Sequence, residues 1–229
     1  MTNKWIFKSL SEEEKIIQKN LVESLSINPT LAQLLVQRGI QTFEEARSFF
    51  RPDLAELHDP FLMMDMDKAI ERLNKAIDNK EKILIYGDYD VDGTTSVALV
   101  YQFLKKYYSD IDFYIPDRYT EGYGISFQGI QFAAEQNFSL IIALDCGIKA
   151  TEKVKHALNL GIDFIICDHH TPDKELPPAV AILDPKREDC PYPYKHLSGC
   201  GVGFKLLQAF TMKKGIDFSE LIPLLDLVG

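Results

Sequence analysis

Asp88, Asp90 and Asp92 stand at alternate positions in Gly87-Asp88-Tyr89-Asp90-Val91-Asp92-Gly93. Three carboxylates this close repel one another, and they coexist most readily with positive charge among them. A divalent metal is the natural candidate, because hard cations take carboxylate oxygens. Asp145, followed by Cys146-Gly147, is a second acidic position, and Asp168-His169-His170 is a third. Two divalent ions about 4 Å apart can activate a water and stabilise both oxygens of an in-line phosphoryl displacement. Any one of these aspartates alone reads as a helix cap or a turn residue. Three clusters, each behind its own apolar run, are not explained by capping.

Those runs are the elements that must position the acids. Ile83–Tyr86, Leu140–Leu144 and Phe164–Cys167 read as strands buried on both faces, with Ile111–Ile115 and Val180–Leu183 as two more. Helical spacing fills the gaps at 94–107, 126–136 and 150–160. This alternation predicts an α/β domain with a doubly wound, mostly parallel sheet. In such a sheet the turns after the strands share one edge, where ligands bind. Residues 1–80 read as a helical N-terminal layer. Ser11-x-x-Glu14 and Thr42-x-x-Glu45 are capping boxes, and Asp65–Ile77 is amphipathic. Residues 81–229 form the catalytic domain in this reading. Beyond Pro185 the chain is irregular, then helical again from Gly203 to Lys213 and from Ser219 to Leu227.

Composition narrows the class without naming it. The chain has 229 residues, 46% hydrophobic, with a formal charge of −9. That charge argues against attachment to nucleic acid by bulk electrostatics alone, though not against local basic contacts. No apolar run reaches the roughly 18 residues of a membrane span, and no signal peptide follows Lys4. Cys146, Cys167, Cys190 and Cys200 form no C-x-x-C pair, which suggests reduced thiols and a cytoplasmic setting.

The order GDYDVDG, LDCG, DHH resembles the DHH phosphoesterase superfamily. Two further stretches resemble its RecJ branch. One is Pro116-Asp117-Arg118-Tyr119-Thr120-Glu121-Gly122-Tyr123-Gly124. The other comprises Cys190-Pro191-Tyr192-Pro193 and Leu197-Ser198-Gly199-Cys200-Gly201-Val202-Gly203. The resemblance implies a single-strand-specific exonuclease that degrades DNA from the 5′ end with Mn²⁺ or Mg²⁺, in repair and recombination. It implies Asp90, Asp92, Asp145 and His169 as metal ligands, with Asp92 or Asp145 bridging. Asp88 would ligate a metal or position water. His170 would contact the scissile phosphate or bind a metal, and Asp168 would orient the pair. Arg118 would meet a phosphate and Tyr123 a base or sugar; the other reading is a surface loop with an Arg118–Glu121 pair. Amides from Gly199 to Gly203, Gly201 among them, would approach a phosphate, or else only form a helix-entry turn. A single-strand-binding protein and a RecQ-type helicase are partners by resemblance only. Many members of the family carry His at the position of Tyr86. A fourth metal-binding motif belongs after Gly229, so a truncated, weakly active domain is expected.

Overall fold

Ser11 accepts the amide of Glu14 and Glu14 accepts that of Ser11, at 3.2 and 2.7 Å, so the first helix starts where its capping box predicts. The structure is a computed structural model that describes residue 4 and residues 6–228. It divides into two units, the first ending at Leu57 and the second starting at His58. In the first unit, α1 (Glu12–Leu25), α2 (Pro29–Gln37) and α3 (Phe43–Phe50) close around Leu21, Ala32, Leu35, Val36 and Ala46. Asn28 caps α2 ahead of Pro29, and Thr42 and Glu45 form the box that opens α3.

The second unit holds α4 (Met66–Asp78), β1 (Lys82–Gly87), α5 (Val91–Lys105), β2 (Ile111–Tyr114) and α6 (Phe127–Glu135). It continues with β3 (Phe138–Leu144), α7 (Thr151–Asn159), β4 (Asp163–Cys167), β5 (Ala181–Leu183) and α8 (Gly199–Lys214). The strands pair in parallel in the order β2-β1-β3-β4-β5. One face of the sheet, with Leu84, Tyr86, Ile141, Ala143, Phe164 and Ile166, packs on α6 and α7. The alternate residues Ile83, Ile85, Ile142 and Ile165 serve the other face, where α4, α5 and α8 lie. The strands therefore read as unbroken apolar runs, as burial on both faces requires. Among the described residues no helix is long and apolar enough to cross a membrane, and all four cysteines are free and buried.

Three expectations shift. The boundary expected near residue 80 lies at 57/58, because α4 packs on β5 and α8 and so belongs with the sheet. The helix expected from Gly203 starts four residues earlier, at Gly199, because Ser198 caps it and Asp92 receives its first amides. The segment expected as a helix at 219–227 is two short 3-10 turns, Phe218–Glu220 and Ile222–Leu227, the second opening on Pro223, which cannot donate.

Arg72 ties α4 to the sheet. Its Nε donates to Asp163 at 2.6 Å and its Nη2 to Glu81 at 2.7 Å and to the Ser139 carbonyl at 3.3 Å. The guanidinium is buried, whereas both carboxylates keep some access to water. Arg72→Met is therefore expected to cost about 1–3 kcal/mol, as lost hydrogen bonds and not as stranded buried anions. Urea denaturation of the two chains measures it.

Candidate active site

The sheet reverses winding direction between β1 and β3, which are neighbours, so the loops after these strands part and leave a crevice at their carboxyl ends. The strands are in register there: Gly87 pairs with Leu144, Leu144 with Cys167, and Cys167 with Leu183. The next residue of each strand is an aspartate. Asp88, Asp145, Asp168 and Asp184 therefore form one row along the rim, none more than 1% exposed. The ladder runs into this row, with the Asp145 amide on the Cys167 carbonyl at 2.9 Å and that of Asp168 on the Leu183 carbonyl at 3.0 Å.

Each member of the row has its own environment. Asp88 accepts the amides of Tyr89 at 2.6 Å and Gly124 at 3.0 Å, yet burial still raises its pKa. Asp145 sits at φ +59°, a left-handed conformation uncommon outside glycine and best tolerated by Asp and Asn. Its Oδ1 lies 3.1 Å from His169 Nε2. The contact lacks hydrogen-bond geometry, and this oxygen is buried without a partner. Burial, with Asp92 and Asp90 adding to it, pushes the Asp145 pKa up to about 6. For Asp168 burial is outweighed by His170 Nδ1 at 2.7 Å and by the amides of Ile148 and His170, so its pKa stays below the usual value. His169 and His170 are shifted upward, by the carboxylates of Asp145 and Asp168 respectively.

The turn after β1 adds two acids above the row. Asp90 caps α5 through the Gly93 amide at 2.9 Å and accepts the Tyr123 hydroxyl at 3.2 Å. Asp92 lies 3.6 Å from His169 Nε2. Gly93 is needed for close approach and not for a special turn: a Cβ there would fall 2.5 Å from the Asp88 carbonyl oxygen.

The donor set fits a divalent cation. Asp145, His169 and His170 each offer a ligand atom, all within 4.8 Å of one another, and the partnerless Asp145 oxygen is one that a cation would satisfy. Asp92 reaches the same histidine. Asp92 and Asp88 each already accept an amide on both oxygens.

The loop from Asp117 to Ser126 is pinned beside this centre. Glu121 accepts the Asp117 amide and the hydroxyls of Tyr114 and Ser126. It makes no pair with Arg118, whose guanidinium instead lies 5.2 Å from the centre of the Tyr89 ring. Tyr89 meets Tyr123 edge-on at 5.6 Å, so Arg118, Tyr89 and Tyr123 form a chain that ends on Asp90. Tyr86, where the resemblance expects His, is buried with its hydroxyl on Gly124 and Ser126, and holds this loop. A cleft of about 590 Å³ opens beside the centre, lined by Tyr123, Asp145, Ile148, Lys149, Thr151 and His170.

One expected contact is corrected. The amides of Gly199 and Cys200 are taken by the Asp92 carboxylate, each at 2.7 Å, and that of Gly201 by Ser198 Oγ at 3.0 Å. These glycines have no amide left for a phosphate; they bring the N-terminus of α8 onto an acid of the site. Two residues escaped the sequence reading. Tyr89 stands between two of the aspartates, and only the acids of that motif suggested chemistry. Asp184 follows Ala181-Ile182-Leu183 as its counterparts follow their strands, but β5 is only three residues long and Pro185 reads as the end of order.

Comparison with known proteins agrees with this geometry. Residues 82–228 match the model of the DHH family, N-terminal domain. The single-stranded-DNA-specific exonuclease RecJ of Bacillus subtilis is 48% identical over 220 residues, covering 95% of this chain and 28% of the relative. The Escherichia coli protein of that name is 35% identical over 212 residues, 88% of this chain and 36% of the relative. The chain thus spans about a third of these relatives or less. A structure of Thermus thermophilus RecJ in complex with Mn²⁺ superposes with a TM-score of 0.73 at 26% identity, over 93% of this chain and 29% of that one. An exonuclease RecJ bound to manganese gives 0.66 at 30% identity, over 72% of this chain and 42% of that one. With its three acidic motifs on one rim and the family match running from β1 through α8, the chain belongs to the DHH family.

Proposed function

We propose that this chain is the N-terminal catalytic part of a single-strand-specific 5′-to-3′ DNA exonuclease that hydrolyses phosphodiesters with Mn²⁺ or Mg²⁺ and acts in the cytoplasm. The observation that carries the reading is the convergence of Asp145, His169 and His170 within one ligand shell at the mouth of an open cleft. The names of the relatives support the substrate. Two divalent ions, when bound, supply acidification of a water and stabilisation of the charge that develops in an in-line displacement.

The chain's own residues do the rest. Asp90, Asp92, Asp145 and His169 hold the cations. Asp168, bonded to His170 Nδ1, fixes that ring so its Nε2 is free for a metal or the scissile phosphate. Asp88 keeps the turn after β1 and the Gly124 loop in place, and orients the ligands that flank it. Tyr123, 54% exposed, offers a ring for a base, and Arg118 a fork for a phosphate. The cleft beside His170 receives the terminal nucleoside.

The test uses the whole protein with a 5′-labelled single strand, its duplex form and a dinucleotide. Asp90→Ala and His169→Ala are each expected to slow release of mononucleotides from the single strand at least about a hundredfold, more than loss of an outer partner of a metal ligand does. Thermal unfolding should change little for His169→Ala, while Asp90→Ala also loses the cap of α5, about 1 kcal/mol. Undiminished digestion by either variant refutes the assignment. Preference for the dinucleotide would instead mark a phosphodiesterase of short oligonucleotides.

A further inference from the structure

Asp184 ends β5 as Asp168 ends β4, on adjacent strands in register. It is 0% exposed. Its Oδ1 accepts the Lys186 amide at 2.7 Å, which accounts for the turn. Its Oδ2 is buried without any partner. Among the described residues two carboxylate oxygens are buried and partnerless, and both belong to this row: Asp145 Oδ1, beside the cation site, and Asp184 Oδ2. Such an oxygen left unsatisfied carries an uncompensated desolvation penalty.

The two histidines differ in a complementary way. His170 has a carboxylate behind its ring, Asp168 on Nδ1 at 2.7 Å. His169 turns Nε2 toward Asp145 at 3.1 Å and Asp92 at 3.6 Å, and its Nδ1 meets no protein acceptor among the described residues. A histidine that ligates a metal almost always donates its other ring N–H to a carboxylate, a carbonyl or water, which sets tautomer and orientation. Burial raises the Asp184 pKa to about 6 and Asp168 adds to that, while Lys186 and the His169 charge oppose it.

We propose that Asp184 is a positioning residue of the same site: its free oxygen takes the Nδ1–H of His169 through one buried water and aims Nε2 at the cation. The inference rests on the reading that His169 ligates a metal. A bridging water fits because the two groups are not in direct hydrogen-bond contact, while the His169 charge is close enough to act on Asp184. Each histidine of the motif then has its own aspartate, one bonded directly and one through water.

Asp184→Asn separates this role from a structural one, since the amide keeps the Oδ1 acceptor for Lys186. The variant is expected to unfold within a few degrees of the parent chain. Its Mn²⁺ affinity, followed by electron paramagnetic resonance, should fall about 10–100-fold. In the Mg²⁺-loaded chain the slowly exchanging Nδ1–H of His169 should vanish from the nitrogen-15 spectrum. Equal Mn²⁺ affinity together with a retained Nδ1–H overturns the proposal. A parent chain that binds no Mn²⁺ defeats the metal reading instead. The His169 ring shifts of the metal-free chain then decide, and ring shifts unchanged by Asp184→Asn overturn the positioning role.

Discussion

Asp145→Asn is expected to abolish hydrolysis and yet make the metal-free chain more stable. The carboxylate is buried, one oxygen has no partner, and its pKa is raised to about 6. An unfolded aspartate titrates near 3.9. Between these values the folded state holds a proton that the unfolded state has lost, so stability falls as pH rises from about 4 to about 6. Above that range the folded chain carries the full cost of a buried anion, on the order of 3 kcal/mol for a shift of about two units. Asparagine does not ionise and keeps the shape. In a chelating buffer at pH 7.5 the variant should therefore be more stable by about that amount, and its stability should fall less steeply between pH 4 and 6, where only the Asp145 share of the slope is lost and that of Asp184 stays. Activity should fall at least about a hundredfold, because even groups that only support a metal ligand are worth 10–100-fold. Such opposition between stability and activity is common where a site keeps like charges together. Urea denaturation at several pH values measures the first effect and digestion of a labelled strand the second. A less stable metal-free Asp145→Asn chain would mean that the carboxylate is satisfied in a way the geometry does not show.

Gly199→Ala is expected to lose both stability and cation affinity. A Cβ at this position would lie 2.5 Å from both Cβ and Oδ1 of Asp145. The first turn of α8 cannot retreat freely, because the amides of Gly199 and Cys200 both hold the Asp92 carboxylate at 2.7 Å. Those are charge-assisted bonds at the positive end of a sixteen-residue helix. The helix is buried along most of its length against α5, α4 and the sheet. The side chain that gives way is Asp145, which then leaves its place beside His169. Overpacking of this kind costs about 1–3 kcal/mol, and Mn²⁺ affinity should drop at least about tenfold. Ser198→Ala is the control. It removes the cap of the same helix, a loss of about 1 kcal/mol, but leaves the space over Asp145 open. Calorimetric titration of Mn²⁺ into the three chains separates the effects. If Gly199→Ala is destabilised but binds Mn²⁺ as the parent does, the glycine serves the helix and not the site.

The acids of the centre were legible because each follows a stretch of buried strand. Ile83–Tyr86, Leu140–Leu144 and Phe164–Cys167 can only be interior strands, and a polar residue immediately after one has to stand at a sheet edge. The alternation of such strands with helical spacing also determined the fold class and the common edge on which Asp88, Asp145 and Asp168 stand. What lies outside this local code was not legible. Apolar runs carry no information about strand order, so the sequence alone does not say that β1 and β3 are neighbours and open the crevice. Asp184 was not among the acids read from the sequence, and only the pairing of Cys167 with Leu183 puts it in the row. The Gly199 segment left a phosphate loop and a helix-entry turn both open, because free amides and occupied ones have the same sequence. That Asp92, more than a hundred residues away, occupies them is a product of α8 packing on α5. Sequence by itself specified which groups could carry charge and on which edge of the sheet they would emerge, since burial and backbone hydrogen bonding act on local patterns. The tertiary structure decided which oxygens remain free, because that depends on donors brought from distant parts of the chain.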